Sequence, residues 1–215
     1  MRGSAVLAGV LLLACVCSTA FAAGSLRETD FRNHTFPWLD DVDSWQDDLE
    51  WISGKPARMV RLRNGVWPLA EIEPDFAAPG APFGGLTFDS AIYGDLLGDE
   101  REEAVVILRY DTGGTMYWYF VYVFASVSGR PEVVAWFHSG DRAAHGLHEV
   151  GIETGMLLVE LYDPAHQRGD YCSSGIERTR YRWSQGAFRR RGRSEFAGTR
   201  RTSRRRVTVF GNPVE

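Results

Sequence analysis

The sequence predicts a mainly β protein: a single twisted antiparallel β-meander domain, sandwich-like or propeller-blade-like, with one N-terminal amphipathic helix. From residue 57 onward, apolar side chains alternate with polar ones at a period of two, which is typical of strands. Turn-forming pairs separate these runs at short intervals, and short connections favour antiparallel neighbours. No helical pattern of about 10–15 residues lies between them, which argues against a doubly wound α/β fold.

The composition is typical of a globular protein, and the acidic and basic residues are unevenly distributed along the chain. The 215 residues are 44% hydrophobic and 24% charged, with a formal net charge of -4. Residues 24–177 carry 26 acidic and 11 basic residues, whereas residues 178–206 carry twelve arginines and one acid. A mean hydropathy of -0.23 excludes a polytopic membrane protein.

Residues 1–22 are predicted to form a signal peptide. Arg2 precedes an apolar run over 5–16, and Ala20-Phe21-Ala22 offers a small-x-small cleavage site. We therefore expect export to the periplasm or the extracellular space. Two alternatives are lipid attachment at Cys15 and a retained N-terminal anchor. Cleavage after Ala22 leaves Cys172 as the single cysteine, which argues against a disulfide framework.

The next segments are predicted from polarity and then from helical spacing. Residues 23–37 are polar and irregular and are expected to form a flexible lead-in. An amphipathic helix is predicted to follow, with an apolar face formed by Trp38, Val42, Trp45, Leu49 and Ile52. Docking of that face on a sheet is the favoured interpretation, and an exposed aromatic stripe for glycan or peptide is the alternative.

The β domain is predicted over residues 38–188. Asn64-Gly65 marks a tight hairpin turn, and residues 74–82 form a Pro- and Gly-rich loop. The later predicted strands are Leu86–Tyr93, Ala104–Tyr110, Met116–Val127, Glu132–His138, Leu147–Glu153, Met156–Tyr162 and Ile176–Trp183.

Residues 189–215 are predicted to be an Arg-rich tail separable from the fold. We expect it to bind an anionic lipid or wall polymer. Folding of the tail over the acidic body is the alternative. Nucleic acid is not expected as a partner, because export and the lack of a binding motif argue against it. The arginines expected to contact the anionic surface are Arg189, Arg190, Arg191, Arg204, Arg205 and Arg206.

The stretch 94–106 resembles the acidic loop and following strand of FG-GAP-type repeats: Gly94-Asp95-Leu96-Leu97-Gly98-Asp99-Glu100-Arg101-Glu102-Glu103-Ala104-Val105-Val106. Asp111-Thr112-Gly113-Gly114 and an aromatic strand follow it. This succession is similar to a group of uncharacterised secreted bacterial proteins and lipoproteins over about residues 86–190 of this chain. The resemblance implies an extracytoplasmic β domain and carries no established activity.

The acidic loop is a candidate calcium site through Asp95, Asp99 and Glu103. These residues occupy the first, fifth and ninth positions of a loop in which Leu97 takes the third. Leucine cannot coordinate a hard cation, which weakens such a site. The favoured interpretation is a turn in which Asp95 and Asp99 accept hydrogen bonds from backbone amides. No other cofactor is predicted.

The segment 138–148 carries a second candidate metal set, formed by His138, Asp141, His145 and His148. Imidazole and carboxylate groups are zinc ligands, but Gly140 and Gly146 predict a loop in place of a helix that would align them. An acid–base role for one histidine and a purely polar loop remain open. Glu160 and Asp163 form a nearby acid pair that could imitate a glycosidase couple.

No catalytic residue is assigned from the sequence. The expected function is an exported, envelope-associated binding or structural module, non-enzymatic, whose partner is an envelope protein or glycan. The alternative is a small extracytoplasmic hydrolase or metal-dependent enzyme using the His138–His148 loop. An enzyme would gather polar groups in one pocket, whereas a binding module would show a broad charged or aromatic patch.

Overall fold

A computed structural model describes residues 25–38, 58–72, 74, 84–114, 117–141, 145–167, 173–197 and 206–208. The described chain is mostly antiparallel β structure, as the sequence predicts. The strands are β1 (Thr35–Trp38), β2 (Arg58–Arg61), β3 (Val66–Pro68), β4 (Gly85–Gly94), β5 (Glu103–Asp111), β6 (Tyr117–Val127), β7 (Arg130–His138), β8 (Leu147–Glu153), β9 (Met156–Gln167), β10 (Ser173–Ser184), β11 (Ala187–Ala197) and β12 (Arg206–Thr208). A short helix, α1 (Leu69–Ile72), follows β3, and two 3-10 turns (Leu26–Glu28, Phe31–Asn33) precede β1.

The described strands form three sheets. A central sheet has the order β3-β4-β5-β6-β7, and a second sheet has the order β11-β10-β9-β8-β12. A two-stranded sheet pairs β1 with β2. The central sheet is a simple meander, and the predicted seven strands from Leu86 to Trp183 all appear within or near their predicted bounds. The sandwich-like form of the predicted fold is therefore the one observed.

Both faces of the central sheet are buried. Alternate residues of β5 and β6 point to opposite faces, and Val106, Phe120 and Tyr122 belong to a different apolar cluster from Val105 and Val121. All five side chains are fully buried. Burial on both faces explains why the sequence of β6 is an almost uninterrupted apolar and aromatic run.

The N-terminal segment covers one face of the central sheet, so the prediction of a flexible lead-in over 23–37 is wrong for residues 25–37. Leu26, Phe31 and Phe36 are buried in the first cluster. The hydroxyl of Tyr122 donates to the carbonyl oxygen of Pro37 at 2.8 Å. Each buried apolar side chain contributes about 1.5–3 kcal/mol, which offsets the entropy of ordering a polar segment.

The second sheet covers the other face of the central sheet. Leu147, Val150, Leu157 and Val159 pack with Val121 and its neighbours in the second apolar cluster. Residues that alternate with these on β8, β9 and β10 point away from the central sheet. We name that side of the second sheet its distal face.

Two-residue tight turns join β2 to β3, β6 to β7, β8 to β9 and β10 to β11. Asn64-Gly65, Ser128-Gly129, Thr154-Gly155 and Gln185-Gly186 all have positive φ at both residues. This is the backbone of the mirror-image turns that match the twist of antiparallel strands. The predicted turn at Asn64-Gly65 is confirmed by two hydrogen bonds between Arg63 and Val66.

Strand structure continues past Phe188, so the predicted separable tail over 189–215 is wrong for its described residues. β11 runs to Ala197 and pairs with β10 over its whole length, and β12 pairs with β8 at the opposite edge. Polar residues are common on exposed edge strands, and the arginines of β11 fit that position. The same pairing moves the C-terminal limit of the β domain beyond residue 188.

Several predictions fall on residues outside the described part. These are the signal peptide over 1–22, the helix residues from 39 to 52, Cys172, Arg204 and Arg205. Trp38, which was predicted to begin the helix, is instead the last residue of β1 and is buried. Within the described residues there is no helix long and apolar enough to span a membrane.

Candidate functional site

The acidic loop between β4 and β5 is held together by its own backbone amides. Asp95 Oδ1 accepts from the amide of Gly98 at 2.7 Å, and Asp95 Oδ2 accepts from the amide of Glu100 at 3.1 Å. Asp99 accepts from the amide of Arg101 at 3.2 Å and forms an ion pair with that arginine side chain. The loop therefore has the backbone-bonded geometry of the favoured interpretation.

Glu103 closes the same loop from the first residue of β5. Its Oε2 atom accepts from the amides of Leu96 at 2.8 Å and Leu97 at 3.0 Å. Burial raises the pKa of Glu103 above its ordinary value, although the two amide hydrogen bonds act in the opposite direction. Hydrogen bonding between Arg101 and Asp99 lowers the pKa of Asp99. The candidate calcium ligands thus serve as acceptors for the loop itself.

The candidate histidine set is divided between two parts of the fold. His138 ends β7 and lies against Phe120, with ring centroids 5.8 Å apart, on the face covered by the N-terminal segment. His145 lies in the connection to the second sheet with a φ of 54°. Asp141 is buried in that connection, whereas His148 lies on β8. The predicted set is therefore not the arrangement that the described structure presents.

Ser139 gives this connection a structural role that the sequence did not indicate. Its hydroxyl oxygen accepts from the amide of Tyr119 at 3.3 Å and from the amide of Leu147 at 3.2 Å. Tyr119 belongs to the central sheet and Leu147 begins the second sheet. The buried hydroxyl therefore joins the two sheets where the chain passes between them.

A buried polar cluster lies on the distal face of the second sheet, and it contains His148. His148 Nδ1 lies 3.0 Å from Glu160 Oε2, and Arg178 Nε donates to Glu160 Oε1 at 2.6 Å. Glu149 pairs with Glu160 across β8 and β9. One nitrogen or oxygen atom from each of His148, Glu149 and Glu160 can be chosen so that the three atoms lie within 4.8 Å of one another. We name these three residues with Arg178 the distal cluster.

A β-bulge brings His148 and Glu149 into this cluster together. Neighbouring residues of a regular strand point to opposite faces. Here Leu147 pairs with Leu161 and Glu149 pairs with Glu160, so His148 is an extra residue in β8. Such bulges redirect a side chain. The sequence offers no signal for this placement, which explains why Glu149 was missed.

The electrostatics of the cluster favour an ionised Glu160. Burial raises the pKa of Glu160, but hydrogen bonds and charge from His148 and Arg178 outweigh this effect and leave the pKa below its ordinary value. An ionised carboxylate only accepts hydrogen bonds, so His148 Nδ1 must carry the shared proton. His148 Nε2 is buried without a hydrogen-bond partner in the described structure.

Glu160 and Asp163 do not form the predicted acid couple. β9 and β10 pair without a break from Glu160–Arg178 to Asp163–Gly175. Residues an odd number of positions apart in such a strand point to opposite faces. Glu160 therefore faces away from the central sheet and Asp163 faces toward it.

Strands β10 and β11 are rich in arginine, and the three arginines of β10 (Arg178, Arg180 and Arg182) lie on the distal face. Between Ile176 and Ser194 the chain carries seven arginines and a single acid, Glu177. On the distal face, Arg178 pairs with Glu160 and Arg180 pairs with Glu153 at 3.7 Å. Arg193 pairs with Glu177 at 2.7 Å on the other face of the sheet, since Arg193 lies opposite Thr179 and Glu177 alternates with Arg178.

Arg182 and Arg189 lie directly opposite one another on β10 and β11. Both side chains are exposed, and the described part of the chain provides no acidic partner for either. Their neighbours Tyr181 and Phe188 are buried in the second cluster, which places the two arginines on the distal face. The alternation Arg178-x-Arg180-x-Arg182 is the sequence signal that could have indicated this shared face.

Comparisons with family models, with curated proteins and with solved structures gave no match to this chain.

Proposed function

We propose that this protein is an exported, non-enzymatic module of the cell envelope that binds an anionic lipid or wall-polymer surface through Arg182 and Arg189. The predicted signal peptide supports export. So does the resemblance of residues 86–190 to secreted bacterial proteins. The partner is the anionic lipid or wall polymer expected from the sequence, and it is bound by the surface of a sheet in place of a separable tail.

The observation that carries this proposal is the cross-strand pair of exposed arginines. Like charges directly opposite in a sheet destabilise it, and an arginine cannot relieve the repulsion by losing its proton. A phosphate or carboxylate bound between the two guanidinium groups removes the repulsion and forms charge-assisted hydrogen bonds. The pair is therefore better suited to holding an anion than to stabilising the fold.

A sheet surface also binds more efficiently than a disordered tail with the same charges. β10 and β11 are paired from Gly175–Ala197 to Ser184–Ala187, so the backbone that carries the arginines is already ordered. Less conformational entropy is then lost when the surface binds. Of the described acids on the distal face, Glu160 is engaged by Arg178, and Glu149 and Glu153 lie on β8, two strands away from Arg182.

Vesicle binding tests the proposal on the mature chain. Phosphatidylcholine vesicles with and without phosphatidylglycerol would be compared by co-sedimentation. An arginine near an anionic surface contributes about 1 kcal/mol, so Arg182→Gln with Arg189→Gln should weaken binding by about 30-fold. The matched control is Arg61→Gln with Arg130→Gln, which removes the same charge from exposed sites in the other sheets.

A parallel measurement with polyglycerol phosphate separates a wall polymer from a lipid surface. Binding to either probe that depends on Arg182 and Arg189 and weakens with salt supports the proposal. Equal losses in the two double variants would show that only total charge matters. That result, or no binding to either probe, would overturn the assignment.

A further inference from the structure

We propose that Asn64 is a latent site of deamidation, which the N-terminal segment (residues 25–37) keeps closed in the folded protein. Asparagine is a thermolabile residue, and Asn64 is the one asparagine of the chain that precedes a glycine. Glycine has no side chain to hinder attack by its own backbone nitrogen. Asn64 is exposed in the turn between β2 and β3, so water surrounds the site.

The modification is an intramolecular substitution that consumes only water. The backbone nitrogen of Gly65 loses its proton and attacks the side-chain carbon Cγ of Asn64. A bond forms between these two atoms, the bond from Cγ to the side-chain nitrogen breaks, and ammonia leaves with the proton. Water then opens the cyclic imide at either carbonyl carbon. One product is aspartate, and the other is isoaspartate, whose main chain passes through Cβ and is one atom longer.

Two features of the folded turn oppose ring closure. Asn64 has a φ of 54°, which is the left-handed conformation. In that conformation the next backbone nitrogen lies on the side of the Cα–C bond opposite to Cβ, so the Asn64 backbone must rotate before the ring can form. Gly65 is buried, and its N–H donates to the carbonyl oxygen of Arg32 at 2.7 Å. This hydrogen bond holds the proton that the reaction must remove.

Among the described residues, the N-terminal segment supplies three hydrogen bonds to the backbone of this turn. Besides the bond from Gly65 to Arg32, Asn33 Oδ1 accepts from the amide of Asn64 at 2.8 Å. Arg32 Nη2 donates to the carbonyl oxygen of Asn64 at 3.0 Å. A fourth bond comes from β4, where the amide of Phe88 donates to the Gly65 carbonyl oxygen at 2.7 Å. The closed state of the site therefore depends mainly on the N-terminal segment.

Local opening of the N-terminal segment exposes the site, and the modification makes the opening permanent. Opening concentrates in segments near chain ends, and detachment breaks all three hydrogen bonds together. Isoaspartate at position 64 adds one main-chain atom before Gly65. The segment then cannot restore its bonds to both residues of the turn. A reversible opening is thereby converted into an irreversible one.

Peptide mapping of the full mature chain measures deamidation at residue 64. In mildly alkaline buffer the urea-unfolded wild type should deamidate at least about tenfold faster than the folded wild type, because the reaction requires opening. Gln185-Gly186 is the matched internal control, since both residues also have positive φ. Attack on the longer glutamine side chain forms a six-membered ring less readily, so this pair should remain unmodified. Equal rates in the folded and unfolded chain, or no deamidation of the unfolded chain, would overturn the proposal.

Arg32→Ala with Asn33→Ala tests the role of the N-terminal segment. The folded double variant should deamidate at least about tenfold faster than the wild type, because each net hydrogen bond changes the open population about fivefold. The matched control is Arg63→Ala, since this exposed arginine pairs with Glu71 and leaves the turn intact. Asn33→Ala alone, with about a fivefold increase, serves if the double variant is unfolded by circular dichroism. An unchanged rate in a folded variant would contradict the proposal.

Limited proteolysis tests whether the modification makes the opening permanent. The isoaspartyl form, separated by ion exchange, should be cut within residues 25–37 faster than the wild type. Asn64→Asp introduces the same charge with an ordinary main chain, so its N-terminal segment should stay as protected as that of the wild type. Equal protection of the isoaspartyl form and Asn64→Asp would show that the longer main chain does not displace the segment, and would overturn this step.

Discussion

At the scale of single residues, the carboxylates of the acidic loop accept hydrogen bonds from backbone amides of the same loop. Asp95 accepts two amide hydrogen bonds within its loop, and Glu103 accepts two more from the residues that precede it. A carboxylate used in this way stabilises a turn whether or not an ion is present. The acidic character of the sequence at 95–103 is thus explained by loop geometry.

Replacing Asp95 tests this interpretation. Asp95→Ala should lower the free energy of unfolding by about 1–3 kcal/mol, because two backbone donors lose their acceptor. Asp99→Ala should cost less, since Asp99 accepts one amide and pairs with an exposed arginine. Thermal melting of the two variants and the wild type, with excess calcium or with EDTA, compares these losses of stability. A melting temperature that rises with calcium in the wild type and not in Asp95→Ala would contradict the turn.

Glu160 makes the stability of the protein sensitive to acid. Its pKa is lower in the folded chain than in the unfolded one. The stabilisation is therefore complete above the ordinary glutamate pKa and is lost as the pH falls through the lowered value. Glu103 acts with the opposite sign, because its raised pKa favours the protonated form in the fold.

Glu160→Gln measures this contribution. Near pH 7 it should destabilise the protein by about 3–5 kcal/mol, because Arg178, whose side chain is only 16% exposed, loses the ionised carboxylate that balances its charge. The difference from the wild type should shrink once the pH falls below the ordinary glutamate range. Urea unfolding at stepped pH values measures the loss of stability near pH 7 and the pH at which the difference from the wild type shrinks. Glu153→Gln, whose ion pair is partly exposed, should cost less than about 1 kcal/mol; an equal loss in the two variants would be inconsistent with a buried network.

Strand β11 shows how an arginine-rich sequence becomes ordered. Alternating positions place Phe188 in the second cluster and Arg189 on the distal face. The backbone hydrogen bonds to β10 and the burial of Phe188 stabilise the strand, and the arginines remain in water. The arginines of β11 therefore give the strand a charged surface and do not prevent it from being ordered.

Truncation distinguishes an integral strand from a tail. A chain ending at Phe188 loses most of β11 and all of β12, whereas a chain ending at Ala197 loses β12 but retains β11. We expect the shorter chain to unfold at a clearly lower urea concentration, because β10 becomes an unpaired edge. Equal urea midpoints for the full mature chain and the chain ending at Phe188 would restore the separable tail.

For the molecule as a whole, the described part of the structure includes residues close to the predicted cleavage point. The first described residues, Ser25 and Leu26, already form a capped 3-10 turn and join the first cluster. Cleavage after Ala22 would therefore retain every residue needed for the described fold.

Mass spectrometry of the exported protein should accordingly find an N-terminus at Ala23. Expression with the native leader in a bacterial host, followed by fractionation, provides the sample. A diacylated N-terminal Cys15 would favour the lipoprotein alternative. An uncleaved chain in the membrane fraction would favour a retained anchor.

Local sequence patterns determined most of the strand architecture and its turns. Alternating apolar residues and Asn64-Gly65-type turns predicted the antiparallel order, because strand period and turn geometry depend on neighbouring residues. The tertiary structure decided that residues 25–37 and 189–197 belong to the fold, since their ordering depends on distant partners such as Tyr122 and β10. It also decided the distal cluster: His148 and Glu149 share a face through a bulge, and Arg178 reaches them from another strand. Such juxtapositions depend on register between strands far apart in the chain, which no local pattern encodes.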